Sequence, residues 1–294
     1  MDLYAEKNNT LGIIFVATFF VFDVFLWNRI FTETGSSKNE VYFFDVGQGD
    51  SSLVQFDSGA RIMTDGGPDS SILRAIRSEL PEGSYIDIAI ISHPQLDHFG
   101  GFSHLLARYK FGTFIINGRT PEGEARIRWN ALLGEIKKRN IPIIVLGAGD
   151  SIKQGESVIR ILSPDPMIIE SGELNDTSLV EKVETKDWTM LLVGDAGSNL
   201  ERYLISKEEK LSANILKVGH HGSKFSSSND FLQAVGPEVA LIGVGAENRY
   251  GHPSAGILTV LSRLGSAVFR TDVNGTIHVK PSPITKTLNI ASER

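Results

Sequence analysis

The sequence predicts a layered α/β domain built on mixed sheets, and two observations carry that expectation. Short apolar runs of strand length are spaced partly as hairpins and partly in alternation with helical segments, which favours stacked layers over a purely doubly wound sheet. Several of these runs end in Gly, Asp or His, which places metal-ligating side chains at strand tips. With 294 residues, 41% hydrophobic and 22% charged, the chain has enough apolar material for one sizeable core.

The elements follow in order. Residues 1 to 10 read as a short N-terminal tail. Residues 11 to 31 are apolar except for Thr18, Asp23, Asn28 and Arg29, and about 20 helical residues span a bilayer core. One transmembrane helix is therefore expected to precede the domain. A cleaved signal peptide is the rival reading, but its apolar core is usually ~7 to 15 residues and ends at a small-residue site. Here Thr32-Glu33-Thr34-Gly35-Ser36-Ser37 follows without an A-x-A pattern. Asp23 opposes the span, because a carboxylate at bilayer depth costs ~2.5 to 3.5 kcal/mol. Residues 32 to 39 read as a polar linker, 40 to 281 as the domain and 282 to 294 as a C-terminal tail. Strand-like runs fall at 41 to 46, 51 to 56, 60 to 65, 85 to 92, 112 to 117, 141 to 146, 157 to 162, 178 to 184, 188 to 194, 213 to 219, 238 to 244, 267 to 271 and 276 to 280. Apolar residues at helical spacing fall at 70 to 80, 101 to 109, 123 to 139, 198 to 206, 228 to 235 and 254 to 264. No internal repeat or low-complexity segment is present.

The most informative stretch is Ser92-His93-Pro94-Gln95-Leu96-Asp97-His98-Phe99-Gly100-Gly101, which follows a strand-like run and gathers imidazoles and a carboxylate on one loop. Such a set suits zinc, manganese or iron. Leu191-Leu192-Val193-Gly194-Asp195-Ala196 delivers another carboxylate at a strand tip, where it could bridge two metals. Ile215-Leu216-Lys217-Val218-Gly219-His220-His221-Gly222-Ser223 repeats the design with adjacent histidines. On extended backbone these two side chains point to opposite faces, so one binds metal and the other faces substrate or a supporting partner. Met63-Thr64-Asp65-Gly66-Gly67 offers a further strand-end aspartate, or a turn residue capping a helix that starts near Asp69.

These motifs, with Phe44-Asp45-Val46-Gly47-Gln48-Gly49-Asp50-Ser51 before them and Asn248-Arg249-Tyr250-Gly251-His252-Pro253 and Phe269-Arg270-Thr271-Asp272-Val273-Asn274-Gly275-Thr276-Ile277 after them, stand in a recognisable order. Over about residues 40 to 280 the chain resembles the metallo-β-lactamase-like domain of the ComEC family of competence proteins. The resemblance implies an αββα sandwich with one or two divalent ions, zinc or manganese, at one edge. It implies metal ligation by His93, Gln95, Asp97, His98, Asp195 and His220 or His221, with Asp97, Asp195, His220 and His221 carrying catalysis. Asp65, Asn175, Lys217, Ser223 and His252 are then expected to support the ligands or contact phosphate, although Lys217 and Ser223 read equally well as ordinary strand-end residues. Bound metal would lower the pKa of a water towards ~7 for in-line attack on a phosphodiester.

Departures from the family pattern qualify that picture. Gln95 stands where ComEC-like members place an aspartate, and a neutral amide oxygen is a poor ligand. Val158-Ile159-Arg160-Ile161-Leu162-Ser163-Pro164 lacks the histidine that the broad superfamily places there, and Asn175 and Ser178 resemble the ComEC-type replacement. One metal position then has His93 and a share of Asp195 as its strong ligands. That position is either weak and filled by manganese or magnesium, or the enzyme works with one ion.

Three functions follow. The resemblance implies a nuclease or phosphodiesterase acting on single-stranded DNA during DNA uptake. An anchored phosphodiesterase of a cell-surface phosphodiester, similar to phosphorylcholine esterases, would need an aromatic cage, for which Trp129, Tyr250 and Phe225 are candidates. A weakened site would leave a binding partner without turnover. The expected partners are the lipid bilayer through residues 11 to 31, nucleic acid as substrate, and a separate membrane channel protein. The expected location is the cell membrane, single-pass, with the hydrolase domain outside the cytoplasm. Lys7 on one side of the span and Arg29 and Lys38 on the other do not decide orientation.

Charge and composition set further bounds. A net charge of -6 argues against a permanently DNA-coated protein. Between Arg108 and Arg139, however, Arg108, Lys110, Arg119, Arg126, Arg128, Lys137, Lys138 and Arg139 face Glu122, Glu124 and Glu135, which reads as a phosphate-tracking face or a solvated helix surface. The absence of cysteine excludes disulfides and thiolate ligands. His104, His278 and the tryptophans read as structural.

Overall fold

Apolar alternation in the strands and apolar stripes on the helices require layers that bury one face each, and a computed structural model shows which layers form. It describes residues 15, 18–24, 39–207, 209–282 and 287–294. The chain divides into two units, Met1–Ser37 and Lys38–Arg294. Within the first, Phe15 and residues 18–24 are helical. The rest of the expected tail, membrane span and linker lies outside the described residues, apart from Asn39. Among the described residues no helix is long and apolar enough to cross a membrane.

The second unit holds two sheets. The first comprises β1 (Glu40–Phe43), β2 (Ser52–Gln55), β3 (Arg61–Thr64), β4 (Tyr85–Ile90), β5 (Lys110–Ile116), β6 (Ile143–Val145), β14 (Ile277–Pro281) and β15 (Leu288–Ser292), in the order β15-β14-β1-β2-β3-β4-β5-β6. The second comprises β7 (Ser151–Gln154), β8 (Ser157–Ser163), β9 (Val180–Glu184), β10 (Thr189–Leu192), β11 (Ile215–Lys217), β12 (Val239–Ile242) and β13 (Ala267–Arg270), in the order β13-β12-β11-β10-β9-β8-β7. Each sheet is antiparallel in one part and parallel in the other: β3 to β6 run parallel, as do β10 to β13.

Three apolar layers fix the sandwich. Val41, Phe43, Val54, Ile90 and Ile115 of the first sheet meet Ile159, Ile161, Val183, Met190 and Leu241 of the second. On the outer face of the first sheet, Phe114 and Met63 pack beneath helices Ser71–Arg77, Phe102–Leu105 and Gly123–Lys138 through Ile76, Phe102 and Leu132. On the outer face of the second, Leu191, Leu216 and Ala240 pack beneath helices Ser198–Ser206, Asn229–Val235 and Ala255–Arg263 through Leu204, Phe231 and Leu261. Burying each such side chain is worth about 1.5–3 kcal/mol, so the αββα order follows from the apolar faces of the strands.

Every strand-like run of the sequence contains a strand, and two further strands form. β7 is an exposed edge strand whose polar Ser-Ile-Lys-Gln sequence carries little apolar period. The segment 282 to 294, expected as a tail, includes β15, which pairs antiparallel with β14 from Ile277↔Ser292 to Pro281↔Leu288. That pairing satisfies the open edge of β14, and partly buried Leu288 and Ile290 join the inter-sheet core.

Candidate metal centre

Parallel strands place their carboxyl ends along one edge, and crevices beyond those ends are natural ligand sites. β3 runs into Asp65, β4 into Ser92 and His93, and β10 into Gly194 and Asp195. β11 runs through Lys217 into the short turn Gly219–Gly222 that holds His220 and His221. The loop after β4 turns into the short helix Leu96–Phe99, whose first turn carries Asp97 and His98. Asp50 enters from the loop between β1 and β2, locked by its N–H donating to Asp97 O at 3.2 Å.

Asp50, His98, Asp195 and His221 are buried, and one ligand atom of each lies within 4.8 Å of the others. Each imidazole is turned by a bond on its far side. His98 Nδ1 lies 2.8 Å from Asp65 Oδ2, and the same carboxylate accepts from Ser92 N–H at 2.9 Å and Ser92 Oγ at 2.8 Å. His221 Nδ1 donates to Gly243 O at 2.8 Å. His93 Nδ1 lies 3.0 Å from Ser92 Oγ, whose own proton goes to Asp65. His98 and His221 turn Nε2 towards Asp195, at 3.3 Å from Oδ1 and 3.7 Å from Oδ2, and the His93 ring lies 4.2 Å from that of His98 between centroids. Asp97 Oδ2 closes the group at 3.2 Å from His221 Nε2.

Two glycines permit this approach. A Cβ on Gly243 would stand 2.3 Å from Asp50 Oδ1, and one on Gly194, at φ +50°, would stand 2.7 Å from Ser178 Oγ. Any side chain at either position would displace a carboxylate of the centre or the strand tip beside it.

The donor set fits a divalent cation. The oxygens of Asp50, Oδ1 of Asp195 and Nε2 of His93 and His98 are buried and make no hydrogen bond beyond the ion pairs named here. Buried polar atoms left so are costly unless a cation completes them. The charges agree. Burial opposes ionisation of Asp195, yet His221 and His98 hold its carboxyl well below the usual carboxylate range. Burial likewise opposes the His98 imidazolium, and Asp195 and Asp65 still raise it well above the ordinary imidazole value. His221, against the same penalty, is raised to about 10 by Asp195 and Asp50. Asp97 is lowered to about 2 against its burial, chiefly through its bond from His221 and the charge of His98. His93 is lowered to about 3 by burial and by the neighbouring His98. A centre that draws protons onto two of its imidazoles has an excess of negative charge.

Several sequence expectations change here. His220 and His221 do diverge, but not through extended backbone: both are left-handed, at φ 48° and φ 54°. His221 is buried in the centre, whereas His220 stands at the rim with Nε2 3.9 Å from Asp195 Oδ2. Lys217 stands beside the centre, its ammonium buried, paired with Asp50 and donating to Gly194 O at 2.5 Å. Ser223 is buried in the turn, and its Oγ accepts from Phe225 N–H at 3.4 Å. Asp65 caps no helix; Asp69 Oδ1 instead accepts from Ser71 N–H at 2.8 Å. Gln95 lies outside the buried cluster and donates to Asn175, whose Nδ2 lies 3.4 Å from His220 Nδ1. His252 lines the cleft above, together with Gln95, Asp97, Asn175, His220 and His221.

Trp129 is buried against Phe99 at 5.1 Å between ring centroids, so it belongs to no aromatic cage. Within the basic stretch, Arg108 pairs with Glu82, Lys138 and Arg139 with Glu135, and Arg119 donates to Ile169 O and Gly172 O. His278 stacks on Tyr42 at 4.2 Å and bonds Glu40 at 2.9 Å. Asp50 is the residue that sequence reasoning passed over. The pair Gly49-Asp50 before Ser51 carries the same signal as Gly194-Asp195, a carboxylate offered beside a glycine.

Two sheets, outer helices on both faces and an aspartate–histidine cluster at the strand ends define a class of protein. The model of the metallo-beta-lactamase superfamily matches residues 44–245, and the chain belongs to that superfamily. It is 30% identical over 264 residues to ComE operon protein 3 of Bacillus subtilis (strain 168), a match covering 83% of this chain and 33% of that protein. It is also 30% identical over 281 residues to Recombination protein 2 of Haemophilus influenzae, covering 93% of this chain and 32% of that protein. The chain thus spans about a third of the length of these curated relatives. Among solved structures it is similar to Tm1679, described as a metal-dependent hydrolase of the beta-lactamase superfamily, with a TM-score of 0.52 at 15% identity, covering 81% of this chain and 98% of that one. That likeness is one of fold.

Proposed function

We propose that this chain is a metal-dependent phosphodiesterase that hydrolyses single-stranded DNA. The observation that carries the reading is the buried group Asp50, His98, Asp195 and His221, one ligand atom of each lying within 4.8 Å of the others at the strand ends. The family resemblance and the relation to Recombination protein 2 support DNA as the substrate. A bound divalent ion supplies Lewis acidity and activates water near neutral pH.

The chain's own residues do the rest. His98, Asp195, His221 and Asp97 would hold the ion, with Asp65 and the Gly243 carbonyl fixing the imidazoles. Lys217 neutralises Asp50 and keeps it from competing as an anion with the substrate phosphate. His220, half exposed beside Asp195, is placed to meet the phosphate or the leaving oxygen. Burial lowers its proton affinity, with its neighbour His221 adding to the effect and Asp195 opposing it, so it is neutral at pH 7 and can accept a proton.

Two observations weigh against the alternatives. Of the three aromatics considered for a choline cage, Trp129 is in the core. Tyr250 and Phe225 line different cavities. Gln95 is only partly buried and bonds Asn175, so the group Asp50, His98, Asp195 and His221 does not depend on its neutral side chain. The anchor over residues 11 to 31, an extracytoplasmic domain and a separate channel partner belong to the same proposal and rest on the apolar stretch and the family resemblance. To test the reading, the full chain is purified, its bound metal measured, and single-stranded DNA, double-stranded DNA and bis(p-nitrophenyl) phosphate are offered with Mn²⁺ or Zn²⁺. Metal-dependent hydrolysis favouring the single strand is expected. A metal-loaded protein that cleaves none of the three would sink the proposal. If the anchor is right, the full chain sediments with membranes, and its recovery in a detergent-free soluble fraction would remove that part.

A further inference from the structure

The space above the metal centre is divided. One cavity of 460 Å³ is lined by Asp97, His221, Tyr250 and His252, and a second of 470 Å³ by Glu173, Asp176, Asp195 and Phe225. They share Gln95, Asn175 and His220. The Gln95–Asn175 hydrogen bond and the His220 ring thus border both cavities, with Asp97 lining the first and Asp195 the second. A site that trims chain ends needs room on one side and a wall on the other. Here open volume continues on both.

Each cavity is lined by one exposed aromatic residue that a basic residue precedes in the chain. Phe225 is 67% exposed and follows exposed Lys224, whose ammonium sits 5.0 Å from the Phe225 ring centroid. Tyr250 is 71% exposed and follows exposed Arg249. Neither aromatic is a loose surface residue. The Phe225 carbonyl accepts from Ser198 N–H at 2.9 Å, which ties the loop to the start of helix Ser198–Ser206. Tyr250 stacks on His252 at 5.7 Å and 18°, and His252 meets His220 at 5.9 Å, so a series of rings leads from the first lobe to that border. An aromatic face beside a cation, as at Phe225, is the arrangement that holds one base and one phosphate of a single strand. In the second lobe Asp176 Oδ1 is used by Gly197 N–H at 2.9 Å, and exposed Glu173 favours a base over a phosphate against that wall.

We infer that a single strand lies through both lobes, with a base on Phe225 and another on Tyr250, so that the bond cut is internal and the activity is endonucleolytic. This rests on the nuclease reading above and adds the position of the bond to it. In the step, a water oxygen bonds to phosphorus while the bond to one sugar oxygen breaks. The proton that the water gives up goes, net, to that oxygen, and the strand ends in one phosphomonoester and one hydroxyl.

The test compares a circular single strand with a linear strand of the same sequence, using the full chain with Mn²⁺. The circle is expected to be opened at a rate within about tenfold of that for the linear strand. Phe225→Ala and Tyr250→Ala should each weaken binding of a linear oligonucleotide about tenfold, with Phe225→Trp restoring it. Digestion of the linear strand with the circle left intact would overturn the inference and leave the nuclease reading standing. Unchanged affinity in both alanine variants would overturn the assignment of the lobes. Failure to cut either strand would remove the nuclease reading and the inference together.

Discussion

Asp97, His98, Asp195 and His221 form one half of the centre, and Gln95, Asn175 and His220 form the half beside it. Both draw on the loop after β4 and both present polar atoms to the same cleft. In the first half, Asp195 Oδ1 and His98 Nε2 are buried without a hydrogen bond, and carboxylates pull His98 and His221 towards the charged state. In the second half, Gln95 donates to Asn175, and Asn175 Nδ2 stands 3.4 Å from His220 Nδ1. Neutral groups bonded to one another ask nothing of a cation, whereas converging anions do. The comparison teaches that converging charge, and not the number of polar groups, marks where an ion would go.

The largest expected effect separates the halves. Asp195→Ala should reduce bound metal and phosphodiester turnover by more than about a hundredfold, since it removes an anion that both His98 and His221 face. Gln95→Ala should change metal content by less than about threefold. Metal analysis of the two purified variants decides this, and equal loss in both would erase the distinction. Asp65→Asn comes next, with a loss of metal affinity of about 10–100-fold, because the amide no longer holds the His98 ring as a carboxylate does. A Mn²⁺ isotherm unchanged by Asp65→Asn would mean that Ser92 alone fixes the loop.

Proton competition should appear in the first half alone. His98 and His221 are raised above the ordinary imidazole value of about 6.5, His221 to about 10, so both carry an extra proton at pH 7 before metal binds. Metal must displace those protons. Affinity should therefore climb by about tenfold per pH unit for each proton released as pH goes from 6 to 8. The metal-free protein responds in the opposite sense. A raised imidazole contributes stability that is fully present below about pH 6.5 and is lost as pH rises through the folded value. Its Tm should thus fall between pH 7 and pH 10 while the stabilisation by added Mn²⁺ grows. A metal affinity that stays flat from pH 6 to 8 would show that the imidazoles are neutral before the ion arrives.

How far the sequence could be read also differs between regions. Buried strands such as β4, with Ile86, Ala89 and Ile90 in the core, announce themselves by apolar runs, because their side chains have no solvent option. β7 and β15 are exposed edges, and nothing in their composition separates them from loops. At the centre, His93, Asp97, His98 and Asp195 were legible because ligand chemistry restricts residue type at strand ends. The division of labour between His220 and His221 was not, since it depends on two left-handed residues in one turn. The burial of Lys217 was hidden for another reason. A lysine at a strand end reads as solvated until its partner Asp50, far away in sequence, is seen to neutralise it.

Gln95 offers the finest test of the comparison, because it asks whether the neutral half can be converted. Gln95→Asp shortens the side chain by one carbon and places an anionic oxygen where ComEC-like members have one. It also breaks the hydrogen bond to Asn175, freeing that amide oxygen to turn towards an ion. His93 Nε2 is buried and without a hydrogen-bond partner, so a ligand atom remains for a further ion. If the second half is weak for want of charge, the variant should bind a further Mn²⁺ equivalent and shift the metal-activation curve to lower concentration. Turnover should rise about tenfold, or about 1.4 kcal/mol in the transition state, if a second ion limits water activation. Phosphodiester turnover against Mn²⁺ concentration, read together with metal stoichiometry for both proteins, separates the outcomes. A second ion with no gain in turnover would mean that one ion suffices. No second ion at all would mean that geometry, and not charge, keeps this half empty of strong ligands.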